Sequence, residues 1–242
     1  MLPDPAPPLT CYEQQLLVGE LTDDRMEAEQ AYLRHCPPPK SLIVSSIGGE
    51  SRVGVYFGRL IRDNNITLII RGICGSSCAQ FMFLPARTVV LERSSLVLFH
   101  NTSNSILSAF LTAEPGAKLD WPRLRASAKV ERDAYAEWGI DRRWLYAPLA
   151  RLEPVCFYTG EDRRSPPSPL PAPYYKSRYI GWIPDRSAFP DKDIAGTWPT
   201  AKEIPIIVHE RQLPEAYVEW ILTSGGLDGS GVVNARSCGE PR

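Results

Sequence analysis

Three features of this 242-residue chain predict an α/β fold built on parallel strands. Short apolar, β-branched runs alternate with helix-patterned segments through the first hundred residues. The runs at 41–47 and 66–70 are almost continuously apolar, as strands covered on both faces require. The junctions carry Pro, Gly-Gly or Asn-Asn, which punctuate rather than continue regular structure. Such alternation implies parallel strands joined by crossover helices, with ligands bound beyond the carboxyl ends of the strands.

The elements follow in order. Residues 12–21 read as a strand with Leu16, Leu17 and Val18 near its centre. Thr22 and Asp23 then start a helix whose Ala28, Ala31 and Tyr32 share a face. Cys36-Pro37-Pro38-Pro39 stops it, because proline lacks the N–H a helix needs. The strand at 41–47 runs straight into Gly48-Gly49. Residues 50–62 form an amphipathic helix with Val53, Tyr56, Phe57, Leu60 and Ile61 on one side. Asn64-Asn65 turns the chain into the strand at 66–70. Residues 72–78 read as a small-residue turn opening a helix through Phe83. Strands at 88–91 and 95–99 follow, the second leading into His100. Asp120-Trp121-Pro122 starts a helix to Trp138, with Gly139 as its stop. Asp141 caps a short helix towards Ala150. Residues 164–174 are too proline-rich for regular structure. A strand at 205–209, a helix at 214–222 and a glycine-rich end complete the chain.

Composition sets outer bounds. With 43% hydrophobic and 23% charged residues the chain is of ordinary globular type. Its 27 Lys+Arg against 28 Asp+Glu give a formal net charge of -1, so no global basic field favours nucleic acid or an anionic membrane. No apolar run approaches the roughly 20 residues of a membrane-spanning helix. GxGxxG and GxSxG are both absent, which disfavours a nicotinamide cofactor and the α/β-hydrolase elbow. No CxxC pair signals a zinc ribbon or dithiol site. The six cysteines, Cys11, Cys36, Cys74, Cys78, Cys156 and Cys238, suit either scattered disulfides in an oxidising compartment or free buried thiols. Cys11 with Cys36 and Cys156 with Cys238 would each tie a flank to the body. The start carries no signal-peptide pattern and reads as a mature N-terminus bearing an initiator methionine.

Three places fall at predicted strand ends. Ser76 lies in Gly72-Ile73-Cys74-Gly75-Ser76-Ser77-Cys78-Ala79, where a strand gives way to a helix N-terminus. Unpaired N–H groups and the helix dipole there favour a developing negative charge; as a plainer role, Ser76 and Ser77 would cap the helix. His100 ends an apolar strand, either as a hydrogen-bonded strand-end residue or as a general base for that serine. Gly48-Gly49 forms a tight turn, or offers an N–H donor and a rail for an extended ligand.

The order strand, Ser46-Ile47-Gly48-Gly49, helix, strand, Gly72-x-x-x-Ser76, helix, strand, strand, His100 resembles the Clp protease/crotonase superfamily, in particular Clp-peptidase-like serine hydrolases and their extracytoplasmic bacterial relatives. The resemblance covers residues 12–160. It implies repeated ββα units, Ser76 as nucleophile, His100 as base, and the N–H groups of Gly49 and Ser77 as the oxyanion hole. It also implies a trimer or larger ring and no metal or cofactor. Three departures stand out: Ile47 replaces the usual proline, Ser77 follows the nucleophile, and the stretch 152–159 lacks an aspartate in register. Asp162 is the candidate third triad member, with Glu153 and Asp141 behind it. Cys74 and Cys78 flank Ser76 as in the extracytoplasmic relatives. Their spacing would permit a disulfide that locks the turn, or two small buried residues at a close helix packing.

The chain therefore reads as a flexible N-terminus (1–10), a Clp/crotonase-like α/β domain (11–160) and a Pro-rich extension (161–242). The expected activity is peptide hydrolysis through a Ser76–His100 dyad or triad, in the periplasm or outside the cell, with the cytoplasm left open. The alternative is a catalytically inactive scaffold of the same fold that holds an extended peptide or protein partner. Acyl-CoA chemistry on the crotonase version is disfavoured by the serine–histidine pair.

Overall fold

A computed structural model describes residues 10–93, 95–100, 102–111, 120–145, 152–158, 178–184 and 186–199; for His100, residues 108–111, 152–158 and 178–184 it describes the backbone alone. The sequence expectations at 146–150, 164–174, 205–209 and 214–222, and Cys238, lie outside these residues. The strands are β1 (Gln14–Val18), β2 (Ser41–Ser46), β3 (Thr67–Gly75), β4 (Thr88–Leu91), β5 (Leu96–His100), β6 (Leu152–Tyr158), β7 (Arg178–Pro184) and β8 (Asp193–Gly196). The helices are α1 (Asp23–Leu33), α2 (Ser51–Asp63), α3 (Ser103–Leu111) and α4 (Trp121–Trp138).

The strands form one mixed sheet in the order β1-β2-β3-β5-β7-β6, with β4 also paired to β3 and β8 to β4. β1, β2, β3, β4, β5 and β8 run parallel to one another where they pair, whereas β7 is antiparallel to both β5 and β6. The expected parallel core is thus present, and β6, β7, β8 and α3 extend it beyond what the local pattern foretold. β7 and β8 lie about eighty or more residues from the strands β5 and β4 that they join, so no short-range period marks them.

Val44, Leu68, Ile70 and Val89 are fully buried beneath Phe57, Ile61, Phe81 and Tyr135. Each such side chain contributes roughly 1.5–3 kcal/mol of burial. α2 presents Val53, Phe57 and Ile61 inward as its 3.6 period requires. Gly58 lets it approach closely, since a Cβ there would overlap the Phe81 carbonyl and lie 2.9 Å from Trp138. Phe81 belongs to a π-helical turn, Ala79–Phe83, that is buried throughout. α4 starts on Asp120, whose carboxylate accepts the Arg123 N–H at 3.1 Å, and ends on Gly139 in the left-handed region. Arg59 of α2 and Glu137 of α4 form a bidentate pair.

The turn expected at 72–78 is a strand for half its length. β3 continues through Gly75, and only Ser76 leaves it. The extension follows from a register shift against β2, from Val44↔Ile70 to Ser46↔Cys74. At the same point β3 exchanges β4 for β5 as its partner. The first strand is conversely shorter than the expected 12–21.

Two disulfides occur among the described residues. Cys11–Cys36 ties the N-terminal segment to the end of α1. Cys74–Cys78 spans the β3-to-helix turn with a Cα separation of 5.2 Å. They settle the choice between thiols and disulfides for these four residues. Among the described residues no helix is long and apolar enough to cross a membrane.

Candidate active site

The end of β2 is anchored from one side. Leu21 N–H donates to the Gly48 carbonyl at 2.7 Å, and Glu50 N–H donates to the Leu21 carbonyl at 3.0 Å. This is the pattern of a parallel bridge centred on Gly49. The N–H and C=O of Gly49 itself therefore face away from Leu21. Its carbonyl accepts the Ser77 hydroxyl at 2.6 Å. Gly48 has φ +99°, and a Cβ there would collide with the Ser76 Cβ and lie 2.8 Å from Gly75 O and Ser77 N. Only glycine satisfies both constraints.

Ser76 sits at φ +55°, in the left-handed region that a β-carbon disfavours. Strain of this kind persists where surrounding structure over-determines it. Its N–H donates to Leu98 O at 2.9 Å, and its carbonyl accepts Gln80 N–H at 2.9 Å. The Cys74–Cys78 bridge closes over it, both cysteines fully buried. Gln80 is held in turn by Tyr135, whose hydroxyl donates to its side-chain oxygen at 2.7 Å. Burial, and then the charge of Glu131, push the Tyr135 phenol well above its ordinary pKa, so it stays a donor. Ser77 opens the helical segment. The residue four before it, Ile73, is in β3, so its N–H lacks the usual intrahelical acceptor.

His100 ends β5, two residues beyond the Leu98 that accepts the Ser76 N–H. Its backbone also faces Gly181 of β7. The fold thus brings the chain at Gly48-Gly49, Ser76-Ser77 and His100 to adjacent strand ends of one sheet. The His100 imidazole, the Glu153 carboxylate and Asp162 lie outside the described side chains. Asp141 is at the surface, where it accepts the Arg143 N–H at 2.9 Å and pairs with the Arg143 guanidinium. That guanidinium holds its carboxyl below the usual range. It caps a short 3-10 turn, Arg142–Leu145.

A cavity of about 640 Å³ opens beside Gly49, lined by Ser51, Ser103, Leu124, Ser127 and Val130 among others. Two ion pairs, Arg123–Glu50 and Arg52–Asp23, flank it. No group of metal-ligating side chains occurs among the described residues.

One residue here had no place in the sequence reading. Glu131 is 1% exposed and accepts hydrogen bonds from Ser51 Oγ, Ser103 N, Asn104 N and Asn104 Nδ2. The available signal was positional. Glu131 falls in the buried stripe of α4 with Ala128, Ala134, Tyr135 and Trp138, and a carboxylate there must be hydrogen-bonded.

No protein-family model matches the chain, and no curated protein does. Among solved structures, the chain is similar to a mutant of ClpP1 from Listeria monocytogenes, with a TM-score of 0.39 and 14% identity over 55% of this chain and 76% of that one.

Proposed function

We propose that the chain is a serine hydrolase of the Clp-peptidase type, with peptide as substrate. Ser76 is the nucleophile: a serine held at φ +55° between a strand and a helix, beside Gly48, is the observation that carries the reading. In the proposed reaction His100 takes the Ser76 proton as Oγ attacks the acyl carbon, then delivers it to the leaving amine. Water repeats the sequence to release the acid. The N–H groups of Gly49 and Ser77 receive the oxyanion. Asp162 is the proposed orienting carboxylate, with Glu153 as the alternative. The two disulfides support an oxidising compartment, periplasmic or secreted. A homo-oligomer is proposed on the resemblance of the sequence pattern alone. A fluorophosphonate probe tests the reading: it should label the native chain, and Ser76→Ala or His100→Ala should abolish labelling. Folded native chain that stays unlabelled would sink the hydrolase reading and favour the peptide-binding scaffold.

A further inference from the structure

We propose that Glu131 is a positioning residue that fixes the spacing between the Gly48-Gly49 strand end and the strand end carrying His100; this rests on the hydrolase reading above. Ser51, the first residue of α2, is two residues from Gly49. Ser103, the first residue of α3, is three residues from His100. Both reach one oxygen: Ser51 Oγ lies 2.9 Å and Ser103 N 3.0 Å from Glu131 Oε1. The two segments are therefore at most about 6 Å apart at these atoms. The second oxygen, Oε2, accepts Asn104 N at 3.1 Å and Asn104 Nδ2 at 2.7 Å.

The chemistry suits a clamp. The first N–H groups of α3 have no intrahelical acceptor, and a carboxylate is their best partner in number and charge. The hub is braced from α4 as well. Asn104 Nδ2 also donates to Ala128 O at 2.9 Å, Arg132 donates to Asn104 Oδ1 at 2.7 Å, and Ser103 Oγ donates to Ser127 Oγ at 2.8 Å. α4 is thereby bolted to the start of α3, and the Ser51 hydroxyl adds α2. A site built on main-chain amides tolerates little relative movement of its parts: a misplacement of about 1 Å can cost roughly 10²-fold in rate.

Glu131→Gln keeps the shape but turns an amide donor towards groups that already donate. Ser51→Ala is the gentler cut, because it removes only the arm to α2 and leaves Glu131 satisfied by α3. Two readouts decide the matter: amide hydrogen exchange over 48–53 and 102–106, and the fluorophosphonate inactivation rate separated from probe affinity. We expect Glu131→Gln to speed exchange in both segments together, Ser51→Ala to speed it over 48–53, both variants to slow inactivation roughly tenfold or more at unchanged probe affinity, and Ser51→Thr in place of the alanine to restore wild-type exchange and rate. Exchange that changes in neither segment, or an inactivation rate equal to wild type in both variants, overturns the proposal. An unlabelled wild-type chain overturns the hydrolase reading instead, and the exchange data then still decide whether Glu131 couples the two strand ends.

Discussion

Gly48→Ala isolates the most demanding contact of the site, and Gly139→Ala provides its control. Both glycines have positive φ, +99° and +67°. An alanine at either position carries a backbone penalty of roughly 1–2 kcal/mol. They differ in surroundings. A Cβ at 139 meets no atom within 4 Å, whereas one at 48 collides with the Ser76 Cβ and comes within 2.8 Å of Gly75 O and Ser77 N. None of these neighbours is the loose end of a long side chain. Ser76 is tied by its N–H to Leu98 and by the disulfide on either side, so the overlap is relieved only by moving the turn. Overpacking of this kind costs roughly 1–3 kcal/mol more. Gly48→Ala should therefore cost about 2–5 kcal/mol, and Gly139→Ala about 1–2. Urea unfolding at constant m measures both. Equal losses for the two variants, within about 0.5 kcal/mol, would refute the claim that the Ser76 turn is packed against Gly48.

Two further predictions concern the frame. In the chain-entropy view, the Cys11–Cys36 bridge, at a sequence separation of 25, should contribute about 3.5 kcal/mol, and the Cys74–Cys78 bridge, at a separation of 4, about 2. Paired alanine substitutions followed by denaturant unfolding should preserve that ranking; a larger loss from the short loop would contradict it. Lys192 Nζ donates to the carbonyls of Leu84 and Ala86. Burial, and secondarily the Arg62 charge, lower its pKa to about 8. A folded value below the unfolded one burdens the native state below about pH 8, and the burden lifts as pH rises towards the ordinary lysine value. The unfolding free energy of wild type relative to Lys192→Met should thus increase between about pH 7.5 and 10.5, by up to about 3 kcal/mol. A flat or falling difference would show that the amine is not desolvated as described.

Local chemistry made the first half of the chain legible. The proline run after Cys36 ended α1, the stripe of Val53, Phe57 and Ile61 drew α2, and Asp120 with Gly139 bounded α4. Gly48-Gly49 and the serine pair at 76 and 77 were visible as strand-end residues. Glu131 was hidden because its partners, Ser51, Ser103 and Asn104, are distant in sequence and ordinary in type. β8 was hidden for a related reason. Its Asp193–Gly196 segment is short, with Ile194 and Ala195 its only apolar side chains, and it becomes a strand only by pairing with β4 while Phe189 packs on Phe83 and Trp144.

The position of Ser76 depends on an insertion that binary patterning does not register. From Val44↔Ile70 to Ser46↔Cys74, two steps along β2 match four along β3. Because the side-chain period of a strand is two, an even insertion leaves every residue on its own face, and the apolar pattern reads as though nothing happened. Its marks are chemical. Gly72 has φ +91°, and Ser95 fills the gap, its buried hydroxyl donating to Ile70 O at 2.8 Å and accepting Gly72 N–H at 3.1 Å. Without the insertion the register of the first half of β3 would carry on, Gly48 would stand level with Cys74, and Ser76 would overrun the glycine pair. With it, Gly48 stands level with Ser76, where a Cβ on the glycine would meet that of the serine. An odd insertion would have turned Cys74 to the other face of the sheet, away from Cys78. The two-residue shift is therefore what permits the disulfide, the left-handed serine and the glycine contact to coexist in one turn.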